Sequence, residues 1–166
     1  MVRREAYPAM SPLSTPSDAD SRRRQRWLSL LAKAPAARLE KLWQGLGPVP
    51  AYNVLRRPEI GLVMVQGRIS GSGTAFCAGE MTATRTAVRL DSGEIGIGYV
   101  GGRAPHQAEI AAVIDALGQR SEWRDVLETR IMAPLAAEAE ARRRLTAARA
   151  AATKVDFFTV AREAGT

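Results

Sequence analysis

Residues 94–117 read EIGIGYVGGRAPHQAEIAAVIDAL, and the hydrophobic pattern changes its period within this one segment. Glu94–Val100 alternates as a strand does. Ile95, Ile97 and Tyr99 point to one side of it, whereas Gly96 and Gly98 leave the other side bare. A bare side permits close approach of a helix, another chain or a ligand, and packing is the commonest reason for one.

A helix is predicted directly after this strand. Ile110, Val113, Ile114 and Leu117 follow the i, i+3, i+4, i+7 spacing of an amphipathic helix. Gly101-Gly102-Arg103 leads into its amino terminus. Backbone N–H groups and one guanidinium could hold an anion there, and an ordinary tight turn is the competing interpretation.

Three more strands are predicted before this segment. Short turn sequences join the four strands: Arg57-Pro58-Glu59, Ser70-Gly71-Ser72-Gly73 and Asp91-Ser92-Gly93. Short connections favour antiparallel neighbours and therefore a β-meander. The four predicted strands are Ala51–Arg56, Ile60–Ile69, Thr74–Leu90 and Glu94–Val100.

Helical patterns flank the predicted sheet on both sides, so the fold class is α+β. One helix begins with Asp20, capped by Ser17 and Asp18, and a second runs from Pro35 to Gly47-Pro48. After the sheet, a helix from Ser121 to Met132 stops before Pro134, and residues 135–153 are helical again. Residues 1–17 are expected to be a flexible tail, and residues 18–166 a single domain.

The charge balance points to an acidic partner or substrate. The net charge is +7, and 21 of the 24 basic residues are arginine, whose planar fork suits phosphate. A solvated basic surface is the simpler interpretation. Cys77 is the only cysteine, and no apolar run is long enough to cross a membrane. We therefore expect a cytoplasmic protein without disulfides.

Common catalytic and cofactor motifs are absent from the sequence. It has no phosphate-binding loop and no dinucleotide fingerprint, and one histidine and one cysteine cannot form a metal cluster. We expect no metal and no cofactor bound by this chain, and its catalytic residues stay unknown. His106 is the only histidine, and the sequence offers it no evident carboxylate partner.

Two arginines share one face of the predicted strand over residues 74–90. Thr82, Thr84, Thr86 and Val88 line one face, which puts Arg85 and Arg89 on the other. These arginines could receive a phosphate or a partner's carboxylate. They could equally lie on the solvent face and pair weakly with Glu80 or Asp91.

Two aromatic residues near the carboxyl terminus indicate docking. Phe157 and Phe158 stand in an otherwise charged segment, and their burial would contribute several kcal/mol at ~25 cal/mol per Å². Whether they dock on the chain's own core or on another subunit stays open. With Trp27 they are the candidate residues of a partner interface.

Taken together, these segments resemble the G-subunit family of bacterial phosphonate carbon–phosphorus lyase. The resemblance covers about residues 22–163. Its most specific parts are RPEIGLVMVQGRISGSG, FCAGEMTATRTAVRL, YVGGR with AEIAAVIDAL, and KVDFFTVARE. The sequence departs from many relatives at Ala104 and Gln107, where aspartate and histidine are frequent, and at Thr86, where cysteine is frequent.

The resemblance implies an obligate subunit of a transferase complex that is not catalytic by itself. In such systems the G, H and I subunits act with an ATPase-like L subunit, and they replace the adenine of MgATP with a phosphonate. A radical iron–sulfur J subunit later cleaves the C–P bond. The implied partners are the H, I and J subunits and L- and K-type ATPases, in a hetero-oligomer with paired copies. Arg85, Arg89 and Arg103 are then candidate phosphate-binding residues.

Two other functions remain open. A basic nucleic-acid-binding protein could use residues 22–26 and 142–149, although no helix-turn-helix or zinc pattern is present. An independent small enzyme could use His106 and Arg103, but the histidine then lacks a partner.

Overall fold

Three antiparallel strands and five α-helices make up the part of the chain that the computed structural model describes, residues 18–68 and 73–153. The α+β prediction is confirmed. The elements are α1 (Asp18–Lys33), α2 (Ala36–Gln44), β1 (Tyr52–Arg68), β2 (Ala75–Leu90), β3 (Ile95–Gly101), α3 (Pro105–Leu117), α4 (Ser121–Leu127), a π-helical turn (Glu128–Met132) and α5 (Ala133–Ala152). The strand order is β1-β2-β3. The predicted tail of residues 1–17 lies outside the described residues.

Strand β3 and helix α3 pack closely against each other. A Cβ atom on Gly96 would lie 1.9 Å from the carbonyl oxygen of Ala112, and one on Gly98 would lie 1.9 Å from that of Ala108. Real Cβ atoms essentially never come within 3.0 Å of a neighbour. The bare side of the strand is therefore where a helix of the same chain packs, backbone against backbone.

Helix α3 is a central helix. Ten of its thirteen residues are buried, although the predicted apolar stripe has only four. The other six buried residues are four alanines, which are small enough to pack closely, and the polar Gln107 and Asp115. Asp115 belongs to this buried set.

The Asp115 carboxylate joins three elements. Its two oxygens accept hydrogen bonds from Nε and a terminal nitrogen of Arg24 in α1, both at 2.8 Å. Oδ2 also accepts the backbone N–H of Ile97 in β3 at 2.9 Å. The hydrogen bond to Asp115 raises the pKa of Arg24 above its ordinary value. Because the carboxylate is buried, this pairing supplies the partners that it needs away from water.

Trp27 anchors α1 on the carboxyl-terminal end of α3. A Cβ on Gly118 would lie 2.7 Å from Cζ3 of the indole, so the missing side chain makes the space for the ring. The indole Nε1 donates to Oε2 of Glu128 at 2.8 Å. Trp27 is only 4% exposed, which places it in the core of this chain.

The prediction of four strands is wrong in one detail. The first two predicted strands form the single strand β1, and Arg57-Pro58-Glu59 is not a turn but an irregular part of it. The register with β2 shifts between Val54 and Arg56 and again between Arg56 and Glu59. A bulge on an edge strand tolerates proline, because no ladder hydrogen bond is required of its nitrogen.

The predicted stop before Pro134 is also not observed, because the chain stays helical from Ser121 to Ala152. The π-helical turn over Glu128–Met132 directly precedes the proline, which is at the start of α5. A wider turn accommodates the proline ring and its missing N–H without ending the helix. Within residues 18–68 and 73–153, no helix is long and apolar enough to cross a membrane.

Tyr52 fixes the beginning of β1 to α3. Its hydroxyl donates to Oε1 of Glu109 at 2.8 Å. Partial burial raises the pKa of Tyr52 from 10.0 to about 12, and the hydrogen bond to Glu109 acts in the same direction.

Because β3 and α3 are in close contact, adding one methyl group to Gly98 should strongly reduce the stability of the fold. Gly98→Ala should lower the free energy of unfolding by at least ~2 kcal/mol, because the new Cβ overlaps the Ala108 carbonyl. The matched control is Gly61→Ala in β1, where nothing lies within 4 Å of the added atom. Urea unfolding of both variants measures the difference, and equal stabilities would contradict the packing described here.

The raised pKa of Tyr52 predicts a stability change at high pH. The pKa of the Tyr52 phenol is about 12 in the folded protein, and 10.0 is its ordinary value in the unfolded chain. The stabilisation from the protonated phenol is therefore complete below the pKa of the unfolded chain. It is lost as the pH rises through the pKa of the folded state. In denaturant unfolding, the stability advantage of the wild type over Tyr52→Phe should shrink across this range. A difference that is independent of pH would contradict it.

Candidate functional site

An open depression of about 500 Å³ lies where α3 begins, next to α2. Pro105 occupies the first turn of α3, where its missing N–H has no consequence. The chain on either side of it contributes Arg103 and His106, and α2 contributes Glu40. The positive end of the helix dipole and a guanidinium thus meet at one opening, an arrangement that favours an anion.

His106 has a carboxylate partner, contrary to the prediction that it lacks one. Its Nε2 lies 2.7 Å from Oε2 of Glu40. That oxygen is buried and accepts no aligned hydrogen bond among the described residues, so the contact is a close approach of two polar groups. Gln44 donates to the other carboxylate oxygen at 2.7 Å. Because the His106 side chain is 72% exposed, the pair is expected to contribute less than ~1 kcal/mol.

Thr84 holds the segment that carries Arg103. Its hydroxyl donates to the carbonyl of Gly102 at 2.7 Å and accepts the N–H of Ala104 at 3.0 Å. Thr84 is fully buried, and Gly102 has a φ of +83°, a conformation that glycine adopts without strain. A buried side chain of β2 thus fixes the backbone on both sides of Arg103.

Arg85 and Arg89 lie on the face of the sheet opposite α3, as the alternation predicts. Both are exposed, whereas Thr84, Thr86 and Val88 are buried. The Arg85 partner is Glu59 of β1, at 3.3 Å, and not the predicted Glu80 or Asp91. The bulge of β1 brings Glu59 opposite Arg85. The sequence places Glu59 in a predicted turn between two strands, so it gives no indication that Glu59 pairs with a residue of β2.

The exposed face of the sheet also carries three large apolar side chains from β3. Antiparallel pairing sets Ile95 opposite Arg89, Ile97 opposite Ala87 and Tyr99 opposite Arg85. Each of the three is between 44% and 48% exposed. A row of apolar side chains therefore runs beside the row of arginines.

The three candidate arginines do not form one site within this chain. Arg85 and Arg89 share the exposed face of the sheet, whereas Arg103 lines the depression between α2 and α3. A triphosphate bound by all three would need a different arrangement. Of the other candidates, Trp27 lies in the core, and Phe157 and Phe158 lie outside the described residues.

The basic segments considered for nucleic acid are largely paired within the chain. Arg23, Arg24 and Arg26 bind Asp20, Asp115 and Glu128. On α5, Arg143 and Arg144 both bind Glu140. In the part of the chain that is described, no group of histidine, cysteine and carboxylate side chains is placed to hold a metal ion.

Sequence reasoning missed the three polar residues that organise this region. Glu40 and Asp115 act on partners that are far away in sequence, so no local motif could reveal them. Asp115 carried one signal, since it is a charge within an otherwise apolar helix. Thr84 was placed on the correct face, but its role depends on the neighbouring loop.

Comparison with known proteins shows the family to which this chain is similar. Residues 22–163 match the family model described as "Phosphonate metabolism protein PhnG". The chain is also 39% identical, over 153 residues, to the alpha-D-ribose 1-methylphosphonate 5-triphosphate synthase subunit PhnG of Rhizobium meliloti (strain 1021). That alignment covers 92% of this chain and 97% of the relative.

The Thr84 contacts predict a specific loss of stability. Thr84→Val keeps the side-chain shape but leaves the N–H of Ala104 and the carbonyl of Gly102 without this partner. The free energy of unfolding should fall by about 2–4 kcal/mol. Thr82→Val is the matched control on the same face, because the described structure has no hydrogen bond to that hydroxyl. Chemical denaturation compares the two, and similar losses would disprove this role of Thr84.

Proposed function

This chain belongs to the PhnG family of phosphonate metabolism proteins, and we propose from this that it is an obligate subunit of a carbon–phosphorus lyase core complex. The observation that carries the proposal is the similarity to a named synthase subunit along nearly the whole of both chains. The match is not confined to one motif, because it extends over 92% of this chain.

The proposed reaction belongs to the complex. Together with H, I and L subunits, the chain supports transfer of the ribose 5-triphosphate of MgATP to a phosphonate, with adenine displaced. A J subunit then acts on the product, and a K-type ATPase accompanies the L type. We place this assembly in the cytoplasm, where its nucleotide substrate is found.

The side chains of this subunit fit a supporting role better than an independent catalytic one. The described residues bring one histidine, one carboxylate and one arginine to an open depression, and that histidine is largely exposed. A general acid or base must be held in a fixed position within hydrogen-bonding reach of the reacting group, and an exposed imidazole at an open surface is poorly fixed. We propose that Arg103 contributes positive charge to a phosphate group only when partner subunits complete the depression.

Arg85 and Arg89 are proposed as a second cationic group, directed at a phosphate or at carboxylates of a partner. Glu59 neutralises part of this charge, since it contacts both Arg85 and Arg56. The exposed Ile95, Ile97 and Tyr99 beside them favour a protein partner, because a phosphate site needs no apolar row.

Nucleic-acid binding is the second candidate function, and the ion pairs of α1 and α5 weaken it. Arginines that already bind carboxylates of the same chain have less charge to offer a phosphate backbone. The net charge of +7 is the observation that still favours it.

Adenine release by the reconstituted complex tests this function. Arg103→Ala should reduce the rate about tenfold or more, because a charge-assisted contact contributes ~1.5–3 kcal/mol. Arg103→Lys should retain part of it. His106→Ala should stay near the wild-type rate, because the imidazole is exposed and its contact with Glu40 lies at the surface, where such contacts are weak.

Assembly is measured first, by size-exclusion chromatography of the co-expressed subunits. A variant that fails to assemble is thereby distinguished from one that assembles but has lost activity. An inactive but assembled His106→Ala complex would make this subunit a catalyst. Unchanged activity of Arg103→Ala would leave the chain a scaffold. If the wild-type chain assembles with none of the subunits and instead copurifies with nucleic acid, the proposed function is wrong.

A further inference from the structure

The outer part of the β1–β2 hairpin carries apolar side chains that nothing in the described structure covers. We call this part the hairpin arm, and it consists of Gly61–Arg68 and Ala75–Met81. Leu62 is 66% exposed, Met64 is 69% exposed and Phe76 is 46% exposed. None of the arm's described residues is buried, whereas β2 becomes buried directly after it, at Ala83 and Thr84.

Both faces of the hairpin arm are apolar. Leu62 and Met64 pair with Thr82 and Glu80 on one face, which continues the side of the sheet that α3 covers. Val63 and Val65 alternate with them and therefore lie on the opposite face.

Four consecutive apolar residues, Leu62 to Val65, are typical of a strand that is covered on both sides. A strand with one wet face alternates between apolar and polar residues instead. In the described structure this chain covers neither face. The run therefore indicates that material from outside the described chain lies against both faces.

The charge of the hairpin arm selects the class of partner. Arg68 and Glu80 are its only charged residues, and their charges cancel, although the whole chain has a net charge of +7. A surface that binds nucleic acid concentrates arginine and lysine. A neutral apolar ribbon instead fits a protein cleft with apolar walls.

The area of the hairpin arm argues against a contact on one face alone. About eight residue pairs at ~3.3 Å make a ribbon ~25 Å long and ~10 Å wide, so one face offers roughly 250 Å². A stable interface buries about 800 Å² on each partner. Enclosing both faces and both edges gives ~1,000 Å², which is enough.

A second copy of this chain is a poorer occupant for the same reason. Two copies related by a two-fold axis would place arm against arm and cover one face of each. An isolated two-stranded ribbon is also marginally stable in water, so partner walls on both sides would stabilise it.

We propose that the hairpin arm inserts into a two-walled apolar cleft formed by a different protein subunit, which contacts both faces of the ribbon and closes around its two edges. This inference rests on the subunit function proposed above. It adds the element that makes the contact and the kind of surface that receives it.

Assembly of the full-length chain with the co-expressed H, I and J subunits tests the proposal. Leu62→Lys with Met64→Lys removes the apolar character of one face and should lower recovery of the chain with its partners at least tenfold. Val65→Lys alters the opposite face and should also lower it. Because these side chains are exposed and lysine suits edge strands, the thermal unfolding midpoint of each purified variant should match the wild type.

Leu145→Lys on α5 is the matched control, since that leucine is 53% exposed and is also apolar. It should leave assembly unchanged. Normal assembly of the two arm variants, or an equal loss with Leu145→Lys, would overturn the proposal. Failure of the wild-type chain to assemble would instead reject the subunit function, so the two failures are distinguishable.

Photo-crosslinking identifies the occupant. A photoreactive amino acid at Leu62 and another at Val65, on opposite faces, should both crosslink to subunits other than this chain within the purified complex. Crosslinks to a second copy of this chain, to nuclease-sensitive material, or from only one of the two faces would each refute the two-walled cleft.

Discussion

The fold depends on a contact between the backbones of β3 and α3. Gly96 and Gly98 let the strand approach the carbonyls of Ala112 and Ala108 more closely than any side chain permits. This approach explains why α3 is rich in alanine and why it is buried almost all round. Asp115 then fixes the packed pair, because its carboxylate binds the backbone of β3 and the Arg24 guanidinium of α1 at once.

The sequence was sufficient for features that depend on local period and was insufficient where distant residues decide. Alternation correctly gave the bare side of β3 and put Thr84 and Arg85 on opposite faces of β2, but it left open which of these faces is buried. The break at Pro58 was wrong, because an edge strand with a bulge absorbs a proline that would interrupt a central strand. The carboxylate beside His106 was missed, since Glu40 reaches it from another helix.

The distribution of charge separates three surfaces of this chain. Three arginines of α1 and two of α5 bind carboxylates of the same chain, so part of the charge of these helices is already neutralised. Arg103 lies at a helix start, where the dipole adds to its charge. The hairpin arm is neutral and apolar. A net charge of +7 therefore says little about any one of these surfaces.

The arrangement also gives a physical reason why such a chain would act within a complex. An exposed depression with one arginine cannot exclude water, and charge-assisted contacts are weak in water. A partner that covers the arginine-bearing face of the sheet would lower the local dielectric constant around Arg85 and Arg89, and one that closes the depression would lower it around Arg103. The same guanidinium then interacts more strongly with a phosphate or a carboxylate. Assembly would in this way supply the desolvation that the isolated fold lacks, without any change in the residues of this chain.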